Sequence, residues 1–292
     1  MSISAWDDFP AHQAPEYIAH PDTSDRNFYD RYYFNLHGSS DELFAIFGLG
    51  QYPNLGVTDA FLCVATATEH RVVRASMPLT DRSDLSIGPI SIEVIEPLER
   101  LRVACEPNEF GLALDVEWNA KMAAVEEPRQ YIRSLGKVVF NTQRFTQAGT
   151  WEGSLSFGGT TTAVTPDRWQ GIRDRSWGIR PVGEPQTDGI RDGVNVMGGM
   201  WNHFPMSFDD HTVLYQVHER NDGERILEEG RRVWIDPDRA DDELGRPEFT
   251  HEFHSGTRLL AGSVISFPNA PGGPVEIKCT PLIANYIGNG TG

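Results

Sequence analysis

The sequence predicts an antiparallel all-β protein whose strands close into barrels or sandwiches. Three observations support this prediction: apolar and polar residues alternate with period two, turn residues separate the alternating stretches, and few stretches have helical periodicity. In residues 109–119, for example, the odd positions are mostly polar or small, whereas the even positions are Phe110, Leu112, Leu114, Val116 and Trp118. Closure is expected because many open strand edges would promote aggregation.

The elements follow one another along the chain in a regular order. Residues 1–27, rich in Pro, Asp and His, are predicted to form an N-terminal arm. Short helices are predicted at residues 41–47 and 128–135. Alternation predicts strands at residues 90–94, 109–119, 145–157 and 213–217, and turn residues stand at 158–159, 209–210, 221–223 and 271–274.

The chain length and one loss of alternation predict two domains. A chain of 292 residues fits two domains of roughly 140 residues each. Because the alternation is lost over residues 121–144, we assign residues 28–140 to a first barrel and residues 141–292 to a second. The chain stops in the glycine-rich run of residues 287–292. Two alternatives stay open there: a second barrel truncated at its C-terminus, and a natural end at Gly292.

Composition limits the partners and the compartment. The 25 basic and 42 acidic residues give a net charge of −17, which argues against nucleic acid and anionic membrane surfaces and favours a neutral or cationic ligand. We find no secretory signal and no apolar run of the roughly 18 residues that a spanning helix needs. Cys63, Cys105 and Cys279 form no Cys-x-x-Cys pair, as expected of free thiols in a reducing cytoplasm.

Familiar catalytic and cofactor signatures are missing from the sequence. The glycines at 48 and 50 lack the third glycine of a dinucleotide fingerprint, and residues 174–178 lack the first glycine of a nucleophile elbow. His251 and His254 would lie on opposite faces of a strand, and His211 and His218 have the same problem. We therefore predict neither a metal nor a cofactor.

The most unusual stretch is residues 171–180. It contains two glycines, at 171 and 178, together with one acid, three arginines and a tryptophan. This composition predicts a special loop rather than another strand. We hypothesise that Asp174 donates a proton to an alkene or enol in an apolar pocket, where desolvation would raise its pKa. Trp177 and Trp201 would stabilise the resulting cation, and His203 would orient or relay water.

Further residues are assigned to the ligand and to the loop. Tyr52 and Trp169 are predicted to line the ligand site, and the loop would be held by Arg173, Arg175, Arg180 and Gly178. In the alternative interpretation, Asp174 pairs with one of these arginines and Trp177 plugs the end of a barrel.

Residues 169–180 resemble the signature of an uncharacterised actinobacterial family related to carotenoid 1,2-hydratase (hydroxyneurosporene synthase) and AttH-like proteins. Residues 49–54 and 149–153 resemble further landmarks of that family, and the similarity begins near Phe28. The resemblance implies two tandem lipocalin-like (calycin) barrels, and a chain that usually continues past a Gly-Thr-Gly run. Many relatives have histidine where this chain has Arg175, which removes a group able to exchange protons near neutral pH.

These observations together predict a protein that binds a hydrophobic small molecule of isoprenoid, steroid, polyketide or lipid type. We expect cofactor-free acid catalysis of hydration, isomerisation or cyclisation on that ligand. Two alternatives stay open: a non-catalytic lipocalin-like carrier, and a structural or interaction protein whose barrels are filled by their own side chains. Phe110, Trp118, Trp151, Phe157 and Tyr215 are the large residues available for such filling.

Overall fold

The computed structural model describes residues 8–10, 20–134, 136–182 and 199–285, and these residues are almost entirely β-structure. The chain divides into two compact units, residues 1–196 with 285–292 and residues 197–284. The strands are β1 (Phe28–His37), β2 (Phe44–Tyr52), β3 (Val57–Ala65), β4 (His70–Pro78), β5 (Ser86–Ile87), β6 (Ile90–Glu96), β7 (Arg100–Cys105), β8 (Leu112–Ala120), β9 (Val125–Glu126), β10 (Gln130–Ser134), β11 (Lys137–Phe157), β12 (Thr160–Val164), β13 (Gln170–Ile179), β14 (Met200–Ser207), β15 (His211–Glu219), β16 (Arg225–Trp234), β17 (Asp242–Glu243), β18 (Glu248–Phe253), β19 (Leu260–Phe267) and β20 (Val275–Cys279).

One antiparallel sheet of 13 strands forms the first unit. Its strand order is β4-β3-β2-β1-β13-β11-β8-β7-β6-β5, and β9, β10 and β12 pair with the long strand β11. The two ends of the sheet approach each other, since a Cβ at Gly88, in the turn after β5, would lie 2.8 Å from Ala75 Cβ on β4. The sheet is therefore a nearly closed barrel, and the prediction of an all-β fold is confirmed.

Aromatic side chains fill the interior of this barrel. The ring centroids of Trp118 and Trp151 lie 5.0 Å apart, and those of Phe47 and Trp151 lie 5.2 Å apart. Phe34 stacks on Phe47 at 5.3 Å. All four side chains are at most 1% exposed and belong to one continuous apolar cluster. The interior is thus packed with the chain's own side chains, although Phe110, predicted for the same apolar face, is 49% exposed.

Several sequence predictions of local structure are wrong. Residues 44–52 and 130–134 are strands instead of helices, and residues 170–179 form the central strand β13 instead of a loop. The predicted domain boundary between residues 140 and 141 falls within β11, which pairs with both β8 and β13 in the first unit. Local composition misled the interpretation because pairing with other strands decides these elements, and in β13 the buried arginines also have carboxylate partners far away in the chain.

The second unit contains two short antiparallel sheets, β14-β15-β16-β17 and β18-β19-β20. Its core includes Val213, Tyr215 and Phe267. Gly230 on β16 lies so close to Phe267 on β19 that a Cβ would be 2.3 Å from the ring. The tandem arrangement of two lipocalin-like barrels stays a prediction. No helix among the described residues has the length and apolar character needed to cross a bilayer.

Candidate functional site

The side chains of β13 point alternately to the two faces of the sheet, and this alternation separates Asp174 from its arginine neighbours. Arg175 faces Tyr32 across the β1–β13 pair, within the filled interior, whereas Asp174 faces Tyr33 on the outer face. Trp177 lies opposite Asp30, on the interior face. Asp174 and Trp177 therefore do not face one pocket, contrary to the hypothesis of a shared catalytic loop.

The two interior arginines belong to a buried ion-pair network at one end of the barrel. Arg173 pairs with Asp8 of the N-terminal arm, and both side chains are fully buried. Arg175 Nη2 lies 2.7 Å from Asp30 Oδ1, and Arg82 Nη2 lies 3.2 Å from Asp30 Oδ2. These pairs show that Arg173 and Arg175 anchor β13 and the arm, instead of pairing with Asp174. Breaking one of these pairs would leave a buried charge without a partner. The network therefore favours the arrangement in which the N-terminal arm and β1 lie against β13.

Arg175 is also held by ring and backbone contacts. Its guanidinium carbon lies 4.1 Å from the centroid of the Tyr32 ring, and its N–H groups donate to the carbonyl oxygens of Arg31 and Phe9. Arg175 is thus a buried cation that joins β13 to β1 and to the N-terminal arm.

On the outer face, two neighbouring cross-strand rows bring polar side chains together. Residues directly opposite each other in an antiparallel sheet share a face. The first row consists of Asp59, Gly50, Arg31, Ser176 and Arg144. The second row consists of Phe61, Gly48, Tyr33, Asp174 and Thr146. We call these two rows, with Tyr52 and Arg180 at their end, the outer-face site.

Asp59 contributes a carboxyl group with a raised pKa to the outer-face site. Burial raises the pKa of Asp59 to about 6, against the opposing effects of the Arg31 and Arg180 guanidiniums. A Cβ at Gly50 would lie 2.6 Å from the Tyr52 hydroxyl oxygen and 3.0 Å from Asp59 Oδ1. Both oxygens therefore lie directly over the α-carbon of Gly50, and any larger residue there would displace them.

Asp174 is the second carboxyl group of the outer-face site. It is 7% exposed, and its Oδ1 has no hydrogen-bond partner among the described residues, like Ser176 Oγ two positions along the strand. Burial and then the charge of Asp174 raise the pKa of Tyr33 to about 12, so the Tyr33 phenol stays protonated and able to donate. Buried oxygens without partners mark a place where a bound molecule could complete the hydrogen bonds.

The other predicted site residues have varied surroundings. Trp169 is 2% exposed and packs in the interior cluster, so it faces no open cavity. Tyr52 packs with Tyr29 and Val182 at the end of the outer-face site. Gly178 has φ of +122°, and a Cβ there would lie 2.1 Å from the carbonyl oxygen of Asn141. Gly178 is thus required because β11 approaches β13 closely at this position. It was predicted to hold a loop, but it lies within a strand.

Trp201 and His203 belong to the second unit, on strand β14. The Trp201 side chain is 42% exposed, and its ring centroid lies 5.3 Å from that of His218 and 6.4 Å from that of His203. Asn202, between them, faces the other way and its Oδ1 lies 3.0 Å from His251 Nε2. The catalytic role of His203 and the ligand-binding role of Trp201 stay predictions.

Sequence reasoning missed Asp59, Arg31 and Tyr33 as site residues. Each one is an ordinary polar residue in an alternating strand. Only strand pairing places Arg31 opposite Ser176, Tyr33 opposite Asp174 and Asp59 in the same row as Arg31. The available signal was the glycine at position 50 beside Tyr52, within a stretch already noted as a family landmark.

Comparisons with known proteins bear on the fold. A model described as a family of unknown function (DUF8625) matches residues 3–292. Kievitone hydratase from Nectria haematococca has a similar structure, with a TM-score of 0.56 and 14% identity over 88% of this chain and 76% of that chain. An AttH-like protein from Nitrosomonas europaea also has a TM-score of 0.56, with 11% identity over 82% of this chain and 77% of that chain. No curated protein matches by sequence.

The two structural neighbours confirm the resemblance to hydratase-related and AttH-like proteins that the sequence motifs indicate. At such low identities the likeness shows the fold alone, and the chemistry has to be argued from the residues of the outer-face site.

Proposed function

We propose that this chain, which belongs to the DUF8625 family of unknown function, binds an elongated hydrophobic molecule at the outer-face site and adds water to it by acid catalysis. The observation that carries the proposal is the Asp59 carboxyl, with a pKa of about 6, beside the Tyr52 hydroxyl over Gly50. A carboxyl group with that pKa can donate a proton near neutral pH and take it back, as general acid–base catalysis requires.

The proposed chemistry needs one carboxyl group and no cofactor. The Asp59 proton passes to one carbon of an alkene, whose π bond breaks and leaves a cation on the adjacent carbon. A water oxygen forms a bond to that carbon, and the oxonium returns its extra proton to the Asp59 carboxylate. The positive charges of Arg31 and Arg180 stabilise this carboxylate while the cation exists, since they oppose the rise in its pKa.

The spacing of the polar groups supports an elongated ligand. Asp59 on β3 and Asp174 on β13 are separated by three strand spacings of about 4.8 Å, or roughly 14 Å. A molecule of isoprenoid, steroid or polyketide length spans such a distance. Asp174 Oδ1, Ser176 Oγ and the Tyr33 hydroxyl would bind its far polar end, so in this proposal Asp174 positions the ligand while Asp59 transfers the proton.

The test begins with ligand identification on the full chain. Freshly purified protein is extracted with denaturing solvent, and the extract is compared by mass spectrometry with a mock purification. The protein is then incubated in ¹⁸O-labelled water with the extracted compound, or with farnesol as an isoprenoid alkene. Incorporation of labelled water into the alkene is the expected result.

Variants separate the proposed roles. Asp59→Asn should abolish labelled product, whereas Asp174→Asn should raise KM more than it lowers kcat. Asp115→Asn is the control, because Asp115 is an exposed carboxylate paired with Arg102 on the same sheet. Labelled product from Asp59→Asn at the wild-type rate would overturn the assignment.

The filled interior of the first barrel favours a second candidate function, that of a structural or interaction protein. An empty extract together with no labelled product would support this second candidate. A stoichiometric apolar compound that is bound but never converted would instead indicate a carrier.

A further inference from the structure

Arg180 presents an unusual hydrogen-bonding edge to the outer-face site. It directly follows β13, and its guanidinium carbon lies 4.3 Å from the centroid of the Tyr29 ring, which fixes the plane of the group. Its Nε and Nη2 atoms are both buried, and neither has an acceptor among the described residues. These two N–H groups form the side of a guanidinium that binds two oxygens of one anion.

Other buried arginines of the first unit contrast with Arg180. Arg173 pairs with Asp8 and Arg175 with Asp30, and the partly buried Arg144 pairs with Glu127. The chain therefore supplies carboxylate partners to these buried cations, but no ion pair of Arg180 is found within the described ranges. A desolvated cation with two unsatisfied donors is unfavourable unless another molecule provides the acceptor.

The charges around Arg180 add to the need for an anion. Burial and then the neighbouring cation Arg31 lower the pKa of Arg180, with a further contribution from Arg144. The Tyr52 hydroxyl lies beside Asp59, where its hydrogen bond lowers the pKa of that carboxyl, and it also interacts with Arg180. One bound anion would accept from the guanidinium edge and from this phenol, and would offset the repulsion among the arginines.

We propose that the ligand of the outer-face site carries an anionic oxygen group, a carboxylate or a phosphate, bound by the Nε–Nη2 edge of Arg180 and the Tyr52 hydroxyl. The inference rests on the proposed function and narrows its substrate class to elongated unsaturated acids or phosphates. It differs from the expectation of a neutral or cationic ligand, which rests on the net charge of −17. Net charge acts at long range and is screened by salt, whereas the Arg180 guanidinium would act on the anion at contact distance.

Three isoprenoids with the same carbon skeleton type test this inference: geranate, geranyl monophosphate and geraniol. Their affinities for the full chain are measured by titration calorimetry. We expect the better of the two anions to bind at least about tenfold more tightly than geraniol, because only an anion satisfies both guanidinium donors. The comparison of geranate with geranyl monophosphate identifies which anion the site prefers.

Variants assign the binding to Arg180. Arg180→Lys keeps the positive charge but loses the two-pronged edge, so it should weaken binding of the preferred anion by about tenfold and leave geraniol unchanged. Tyr52→Phe, a smaller change, provides a second measurement if Arg180→Lys fails to fold, and it should also weaken the anion selectively. Arg102→Lys is the control, since Arg102 is exposed and paired with Asp115.

The outcomes distinguish this inference from the proposed function. Equal affinities for geraniol and both anions, no binding of any of the three, or full anion affinity in Arg180→Lys would overturn the anion site. Anion binding that depends on Arg180 but yields no labelled product from ¹⁸O-water would keep the anion site and refute the hydration.

Discussion

Replacing Asp59 by asparagine should stabilise the folded protein at high pH, because the partly buried carboxylate is unfavourable when ionised. Burial raises the pKa of Asp59 from 3.8 to about 6. The folded state therefore binds this proton more tightly than the unfolded state. As pH rises from about 4 to about 6, the contribution of Asp59 to stability falls, and above about pH 7 it is constant at its least favourable value.

The size of the effect follows from the pKa difference. A shift of about two pKa units corresponds to at most about 3 kcal/mol. Because the side chain is only partly buried, solvent screens the charge, and we expect Asp59→Asn to raise the free energy of unfolding by about 1–2 kcal/mol at pH 8. At about pH 4, where Asp59 is largely protonated, the variant and the wild type should have nearly equal stability.

Urea unfolding at several pH values measures this difference directly. The matched control is Asp115→Asn. The side-chain hydrogen bond from Arg102 lowers the pKa of Asp115, so the ionised carboxylate stabilises the folded state. Asp115→Asn should therefore be less stable than the wild type at pH 8, and the difference should be smaller at pH 4. The reasoning about Asp59 is refuted if Asp59→Asn is no more stable than wild type at pH 8, or if its effect is the same at both pH values. If Asp59→Asn is more stable than the wild type but yields no labelled product, Asp59 behaves as a functional carboxyl group is expected to behave.

Three further predictions concern the scaffold of the first unit, and urea unfolding checks each of them. Asp8→Ala should lower the free energy of unfolding by about 3–5 kcal/mol, because it leaves the fully buried Arg173 without its carboxylate; a loss below about 1 kcal/mol would show that the arm does not hold β13. Gly178→Ala should cost about 1–3 kcal/mol or more from its positive φ, in addition to the clash with Asn141, and a wild-type stability would contradict that close approach. Trp151→Ala should cost about 3–5 kcal/mol, since it empties the centre of the aromatic cluster, and ligand release from this variant alone would indicate that the interior holds a ligand after all.

The outer-face site shows where sequence reasoning reached its limit. Asp174 was recognisable from the unusual composition around it, but the same composition made a central strand look like a loop. Charged residues are rare in strands that are buried on both faces, and Arg173 and Arg175 are tolerated in β13 only because Asp8 and Asp30 lie against them. No local pattern in residues 171–180 could identify partners so far away in the chain.

The sequence by itself determined the all-β class, because period-two alternation is a local property that survives any arrangement of the strands. It also determined the likeness to hydratase-related proteins, through short motifs around Gly50 and Asp174. Only the tertiary structure decided that Asp59 shares a face with Asp174 and that Arg180 lies there without an anionic partner among the described residues. The physical reason is that strand order and register are set by long-range pairing, and a shift of one residue would move every one of these side chains to the opposite face.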